Sequence, residues 1–175
     1  MSKIAIGLPA FNEEKNIASI ILQLKKKYEL IIVCDDGSDD LTASISEKMG
    51  AIVVKHKKNL GYGVAIRSLF SKARELECDI LVTFDSDGQH IVSEIENIIV
   101  PIQKNEADMV IGSRFLGTIE GKIPSYRKMG IKAITNLVNS NTGKKITDSQ
   151  SGFRAYNKII LEKLIPSESG MGVST

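Results

Sequence analysis

The chain has 175 residues, a length that suits one domain burying roughly 70% of its unfolded surface. Hydrophobic content of 42% and charged content of 25% lie in the ordinary range for a soluble globular protein. A net charge of +2 is too small to point to nucleic acid, and no apolar run reaches the roughly 18 residues that cross a bilayer.

The first apolar run, Ile4–Leu8, reads as a strand; no cleavage region follows it, so it does not read as a signal peptide. It runs into Pro9-Ala10-Phe11-Asn12-Glu13-Glu14, whose acids suit the positive end of a helix. That helix carries Ile17, Ile20, Ile21 and Leu24 at spacings of three and four, which turns one face to a core. The second strand, Leu30–Cys34, is followed by Asp35-Asp36-Gly37-Ser38-Asp39-Asp40. The third, Ala51–Val54, leads to His56 and Asn59-Leu60-Gly61-Tyr62-Gly63, then to a helix striped by Tyr62, Ala65, Ile66, Leu69, Phe70 and Ala73. The fourth, Ile80–Phe84, ends in Asp85-Ser86-Asp87-Gly88-Gln89-His90, ahead of a stripe of Ile91, Ile95, Ile98, Ile99 and Ile102. The fifth, Met109–Ile111, ends in Gly112-Ser113-Arg114.

Beyond Arg114 the pattern is less regular. A helix is expected over Ser125–Asn139, then a connection rich in small polar residues, then a short strand, Phe153–Tyr156. The helix is expected to bury Met129, Ala133, Ile134 and Leu137. Its other side would carry Arg127, Lys128 and Lys132 around Ile131, a face suited to anionic lipid or to plain solvation. Cys34 and Cys78, in or beside apolar runs, read as buried free thiols of a reducing compartment, so the expected location is cytoplasmic.

Strands that are apolar along their whole length are covered on both faces. The repetition therefore predicts an α/β fold, a Rossmann-like, doubly wound, mostly parallel sheet flanked by helices. Ligands of such sheets bind beyond the carboxyl ends of the strands. Five strand ends in turn carry the unusual polar residues of this chain, so that edge is the expected site.

Asp85, Asp87 and Gln89 offer three oxygen donors at alternate positions, where the backbone turns at Gly88. Such oxygens suit Mg2+ or Mn2+, which keep waters and bridge to phosphates. Two carboxylates this close repel without a cation, although either can instead cap the following helix. Asp35 and Asp36 can accept from a ribose hydroxyl or a base N–H, or can form a turn and cap with Gly37, Ser38 and Asp39. Gly61 and Gly63 can let backbone N–H groups approach a phosphate, or make a plain turn. Arg114, Arg127 and Arg154 are candidate phosphate clamps, Arg114 foremost because it directly follows the fifth strand. His90 can orient a ligand beside the acidic motif, while His56 reads as structural.

Together these motifs resemble those of family 2 glycosyltransferases of the GT-A fold, especially the polyprenyl- and dolichyl-phosphate mannosyl- and glucosyltransferases. The resemblance spans nearly the whole chain. It rests on Pro9-Ala10-Phe11-Asn12-Glu13, Asp35-Asp36-Gly37-Ser38-x-Asp40, Asp85-x-Asp87-x-Gln89-His90, Gly112-Ser113-Arg114 and Asp148-Ser149-Gln150-Ser151-Gly152-Phe153-Arg154. It implies one catalytic domain over 1–175, with a nucleotide-sugar-binding half at 1–113 and an acceptor-side half at 114–175 that stops short of its relatives.

The resemblance also implies inverting transfer from a UDP- or GDP-hexose to a polyprenyl-phosphate lipid. Pro9, Phe11, Glu13 and Asp36 would hold the nucleoside, with Ser86 near the diphosphate. Asp85, Asp87 and Gln89 would hold the divalent cation, Mg2+ or Mn2+, and Arg114 and Arg127 would neutralise the acceptor and donor phosphates. A phosphate acceptor is already anionic and needs no strong base; Asp148 is the candidate base if the acceptor is a hydroxyl. The implied setting is the cytoplasmic face of a membrane, where a membrane-bound protein can be a partner.

Two other readings stand beside this one. Asp85-Ser86-Asp87-Gly88 also resembles the aspartyl-nucleophile motif of haloacid-dehalogenase-type phosphatases, although it follows the fourth strand rather than the first. The other is a nucleotide-sugar-binding module without turnover, for which the abrupt end at Thr175 speaks.

Overall fold

A computed structural model describes residues 2–85, 92–113, 115–116, 125–143 and 145–163, and its strands and helices alternate in the predicted order. Strands β1 (Ile4–Ala10), β2 (Leu30–Asp35), β3 (Ile52–Lys55), β4 (Ile80–Thr83), β5 (Met109–Ile111) and β6 (Arg154–Asn157) form one sheet, ordered β3-β2-β1-β4-β6-β5. The helices are α1 (Ile17–Lys25), α2 (Thr42–Lys48), α3 (Tyr62–Glu75), α4 (Ile95–Gln103), α5 (Ser125–Thr142) and α6 (Lys158–Lys163).

β1 to β4 pair in parallel, whereas β6 runs antiparallel to both β4 and β5. Reversing one inserted strand leaves β5 pointing the same way as β1 to β4. The carboxyl ends of five strands and the amino end of β6 therefore share one edge. Register places Arg154 between Thr83 and Ile111 there.

Each sheet face is covered by the helix stripes seen in the sequence. On one face Ile6, Leu8, Ile31, Val33 and Val82 join Ile17, Ile20, Ile21 and Leu24 of α1 and Ile95, Ile98, Ile99 and Ile102 of α4. On the other, Ala5, Ile32, Cys34 and Leu81 meet Ala65, Ile66, Leu69, Phe70 and Ala73 of α3, with Leu161 of α6 beside them. Ile91 lies outside the described residues. Both cysteines are buried free thiols. Burial, with the Asp36 charge second, pushes the Cys34 thiol up to about 12, so it stays protonated at neutral pH.

Two expectations need correction. The third and fifth strands are not buried as the central ones are: β3 and β5 are the sheet's edges and are at most half-buried, although Val53 and Val54 of β3 pack on opposite faces. A short apolar run reads alike at the edge and at the centre. The second concerns α5, whose buried stripe is Ile131 and Thr135 with Val138 half-buried. Met129 is 72% exposed and Leu137 64% exposed, and Ala133 and Ile134 also face outward.

Polar anchors, not apolar content, set the rotation of that helix. Thr135 Oγ1 accepts from Ser149 N at 3.1 Å and lies 3.2 Å from Ser149 Oγ. Asn139 bonds both the N–H and the carbonyl of Ile146 at 2.8 Å. A buried hydroxyl satisfied twice outweighs the modest cost of leaving single apolar side chains in water. Among the described residues no helix is long and apolar enough to cross a membrane.

Candidate active site

The loops after β1 and β2 are built into each other. Backbone N–H groups of Asn12, Glu13 and Glu14 donate to Ser38 Oγ (2.9 Å), Thr42 Oγ1 (2.8 Å) and Asp40 Oδ2 (3.1 Å). In return Asn12 Oδ1 accepts from Asp39 N (3.0 Å) and Glu14 Oε2 from Leu41 N (3.2 Å). Neither Glu13 nor Glu14 caps α1, contrary to the sequence reading. Glu13 takes the Asn16 side-chain amide instead (2.9 Å), and Glu14 serves the neighbouring loop. Phe11 stands 42% exposed at the edge. Pro9 lies beyond the last β1–β4 pair, Gly7↔Thr83, so its missing N–H interrupts no pairing with β4.

Asp40 is the hub of this joint, accepting from Glu14 N, Thr42 N (2.9 Å) and the Thr42 hydroxyl. Desolvation acts to raise its carboxyl pKa, but the hydrogen bonds from Thr42 and Glu14 prevail and hold it below the ordinary value. A depressed folded-state pKa confers stability above the unfolded value, lost as pH falls through the folded one. Asp40→Ala is expected to cost about 1 kcal/mol at neutral pH, as loss of a helix cap does. Urea unfolding of both proteins should show that gap narrowing as pH falls below the carboxylate range.

Asp36, at the next strand end, is buried. Its Oδ1 accepts from His56 Nδ1 at 2.6 Å and from Leu60 N at 3.0 Å, and its Oδ2 from Gly61 N at 2.8 Å. The Gly61 N–H, which the sequence offered to a phosphate, is thus taken up by Asp36 and by Asn59 Oδ1 (3.0 Å). Gly61 has φ 92, a conformation that favours glycine, and it leads into α3.

Asp85 follows β4 in a fitted slot. The Tyr62 hydroxyl, on the first turn of α3, donates to Asp85 Oδ1 at 3.4 Å. Burial and then the Asp85 charge push the Tyr62 phenol far up, so it remains a donor. A Cβ built on Gly152 would lie 2.6 Å from both Asp85 oxygens and from the Tyr62 hydroxyl. The carboxylate is therefore flanked by a phenol and a bare backbone, a setting that suits a hard cation ligand held in place. Among the described residues no three His, Cys, Asp or Glu side chains cluster as a metal site. Ser86, Asp87, Gln89, His90 and Arg114 lie outside the described residues, as does the side chain of Arg127 in the first turn of α5.

The 148–153 loop makes the third wall. Thr83 Oγ1 donates to Gly152 O (2.7 Å), and the buried Arg154 donates from Nε to Ser151 O (2.8 Å) and from Nη2 to Ser149 O (2.7 Å). Arg154, a candidate phosphate clamp in the sequence, ties this loop to β6 through those two carbonyls. Asp148 is 1% exposed, and its Oδ1 accepts from Gln150 N at 3.2 Å. Phe153 meets Phe84 edge to face, its ring centroid 5.7 Å away. A Cβ on Gly112 would fall 2.2 Å from Phe153 Cδ1, which explains the glycine of Gly112-Ser113-Arg114. Sequence reasoning missed Tyr62 and Gly152 as neighbours of Asp85, and His56 as neighbour of Asp36. Only their places near strand ends could have signalled them.

A mixed sheet with acidic strand ends gathered on one edge and a reversed strand beside β4 defines the GT-A class of fold. The chain aligns with glucosyl-3-phosphoglycerate synthase of Mycobacterium tuberculosis, solved with Mn2+, UDP and phosphoglyceric acid, at TM-score 0.76 and 24% identity. The alignment covers 99% of this chain and 61% of the synthase, less than two thirds of its length. Residues 5–165 match the model of glycosyl transferase family 2, and the chain belongs to that family.

It is 38% identical over 165 residues to an uncharacterised protein of Methanocaldococcus jannaschii, covering 93% of this chain and 68% of that protein. It is 36% identical over 180 residues to the UDP-N-acetylglucosamine–dolichyl-phosphate N-acetylglucosaminyltransferase of Methanococcus voltae, covering 92% and 72%. Identity to a dolichyl-phosphate hexose transferase of Haloferax volcanii is 30% over 165 residues, covering 92% and 69%. The protein is a glycosyltransferase, which sets the phosphatase reading aside.

Proposed function

We propose that this chain transfers a hexose, with inversion, from a UDP- or GDP-sugar to a polyprenyl or dolichyl phosphate at the cytoplasmic face of a membrane. The observation that carries the reading is the shared edge on which Phe11, Asp36 and Asp85 stand at three strand ends. The donor-binding half is 1–113 and the acceptor side 114–175. Phe11 offers an exposed ring beside Pro9 for the base, and Glu13 and Asp36 offer acceptors to nucleoside N–H and hydroxyl groups.

Asp85, in its slot, would hold Mg2+ or Mn2+ with Asp87 and Gln89. When bound, such a cation stabilises charge on a leaving diphosphate. Ser86 lies next to these ligands in sequence and is assigned to the diphosphate. Arg114 and Arg127 neutralise the remaining phosphate charge. The enclosure of Asp148 supports an acceptor that is its own nucleophile, a phosphate rather than a hydroxyl. The outward Met129, Ile134 and Leu137 of α5, with exposed Lys132 among them, support a position at the lipid headgroup boundary, where a membrane-bound partner can also sit.

Calorimetric titration with UDP- and GDP-sugars tests the donor half. One base is expected to bind, at least about tenfold tighter with Mn2+ than without, and Asp87→Ala is expected to erase that difference. Failure of every nucleotide sugar to bind in the presence of Mn2+ would sink the proposal. Transfer to a short-chain polyprenyl phosphate, against a sugar hydroxyl, tests the acceptor.

A further inference from the structure

We infer that His56 is a positioning residue for nucleoside recognition, fixing Asp36 so that it presents one acceptor position to a base N–H or a ribose hydroxyl. The inference rests on the proposed role of Asp36 as a nucleoside contact. The side chains of His56 and Asp36 are 10% and 6% exposed, and they meet at 2.6 Å. An ionised carboxylate only accepts, so the imidazole proton stands on Nδ1. His56 Nε2 lies 2.8 Å from Ser68 Oγ and 3.6 Å from Cys34 Sγ. Ser68 can donate to that nitrogen, so a neutral ring has both nitrogens partnered. The imidazole is thereby gripped from β2 through Cys34, from the loop after it through Asp36, and from α3 through Ser68.

The same geometry limits what Asp36 can still do. A carboxylate has about four lone-pair positions. His56 Nδ1 and Leu60 N take the two on Oδ1, and Gly61 N takes one on Oδ2. One remains on Oδ2 among the described residues, room for a single ligand donor. A base that shows a ring N–H there is accepted, and one that shows a lone pair is repelled. Without His56 the buried carboxylate loses its only side-chain donor among the described residues, and its rotation about the two backbone amides is no longer stopped by the ring.

The test is calorimetry on the full chain with Mn2+, using UDP, GDP and inorganic pyrophosphate as probes. Pyrophosphate reads the diphosphate end alone. His56→Ala should weaken the preferred nucleoside diphosphate about tenfold or more, the usual worth of a hydrogen bond to a charged group, and leave pyrophosphate unchanged. His56→Asn, whose amide nitrogen can stand where Nδ1 stands, should recover most of the loss. His56→Gln, which reaches toward Ser68 instead, should not. If His56→Ala fails to fold, the Asn and Gln pair decides the matter.

Equal losses for pyrophosphate and nucleotide, no loss for either, or equal behaviour of Asn and Gln would overturn the inference. Asp36→Asn separates the two levels. Selective nucleotide loss in Asp36→Asn but not in His56→Ala removes His56 alone. A wild-type protein that binds pyrophosphate with Mn2+ but no nucleoside diphosphate more tightly removes the donor-site reading, and this inference with it.

Discussion

Gly152→Ala should leave the protein folded and lower its Mn2+-dependent nucleotide affinity by roughly 100-fold, the upper range for disturbing the support of a metal ligand. The new Cβ would sit 2.6 Å from Asp85 Oδ1, Asp85 Oδ2 and the Tyr62 hydroxyl, and none of these is backbone. Side-chain ends can move. Tyr62 is packed against the α3 face of the sheet, so the Asp85 carboxylate has the easier escape. It would swing out of its slot and away from the position from which we propose it binds the cation. Manganese titration followed by electron paramagnetic resonance, in the presence of UDP or GDP, reads the loss directly. Wild-type manganese affinity in the variant would mean that the slot does not set the ligand.

Gly37→Ala should do the opposite, reducing stability far more than any chemistry. Gly37 has φ +74, which costs an L-residue roughly 1–2 kcal/mol. Its Cβ would also fall 2.3 Å from the Lys58 carbonyl carbon, 2.6 Å from Lys58 Cα and 2.7 Å from Asn59 N. These are backbone atoms of the loop that delivers the Leu60 and Gly61 amides to Asp36. They can yield only by parting the two loops. A loss of about 3 kcal/mol or more is expected, of the size seen when strain and overpacking combine. At roughly 2–4 °C per kcal/mol for a chain of this size, the thermal midpoint should fall by about 6–12 °C. A variant within about 1 kcal/mol of wild type in urea unfolding would show that the loops do not press on each other here.

The contrast between these glycines also marks what the sequence could disclose. The stripes of α1, α3 and α4 were legible because each recurs at helical spacing over enough residues to define a face. α2 and α6, at seven and six residues, were too short to show a face. The strand ends that carry Asp36 and Asp85 were legible because apolar runs stop abruptly at acids. Partners from distant parts of the chain were not. Nothing in Gly152 announces that it lies against Asp85, and nothing in His56 names Asp36 as its acceptor. The rotation of α5 was misread for a related reason. A count of apolar side chains favours the Met129 and Leu137 side, whereas two hydrogen-bonded anchors, Thr135 and Asn139, decide which side turns inward.

The strand inserted between β4 and β5 has a consequence for assembly. The bond from Thr83 to Gly152 joins positions 69 apart in sequence, and β6 must thread into the sheet after β5 has been synthesised. The parallel strands β1 to β4 and their helices emerge first from the ribosome. Closing so long a loop carries an entropic cost, and contacts of this span slow folding. Asp36 and its loop partners are thus all synthesised before the slot around Asp85 can be completed. A nascent chain without β6 holds Asp85 with its Gly152 wall missing.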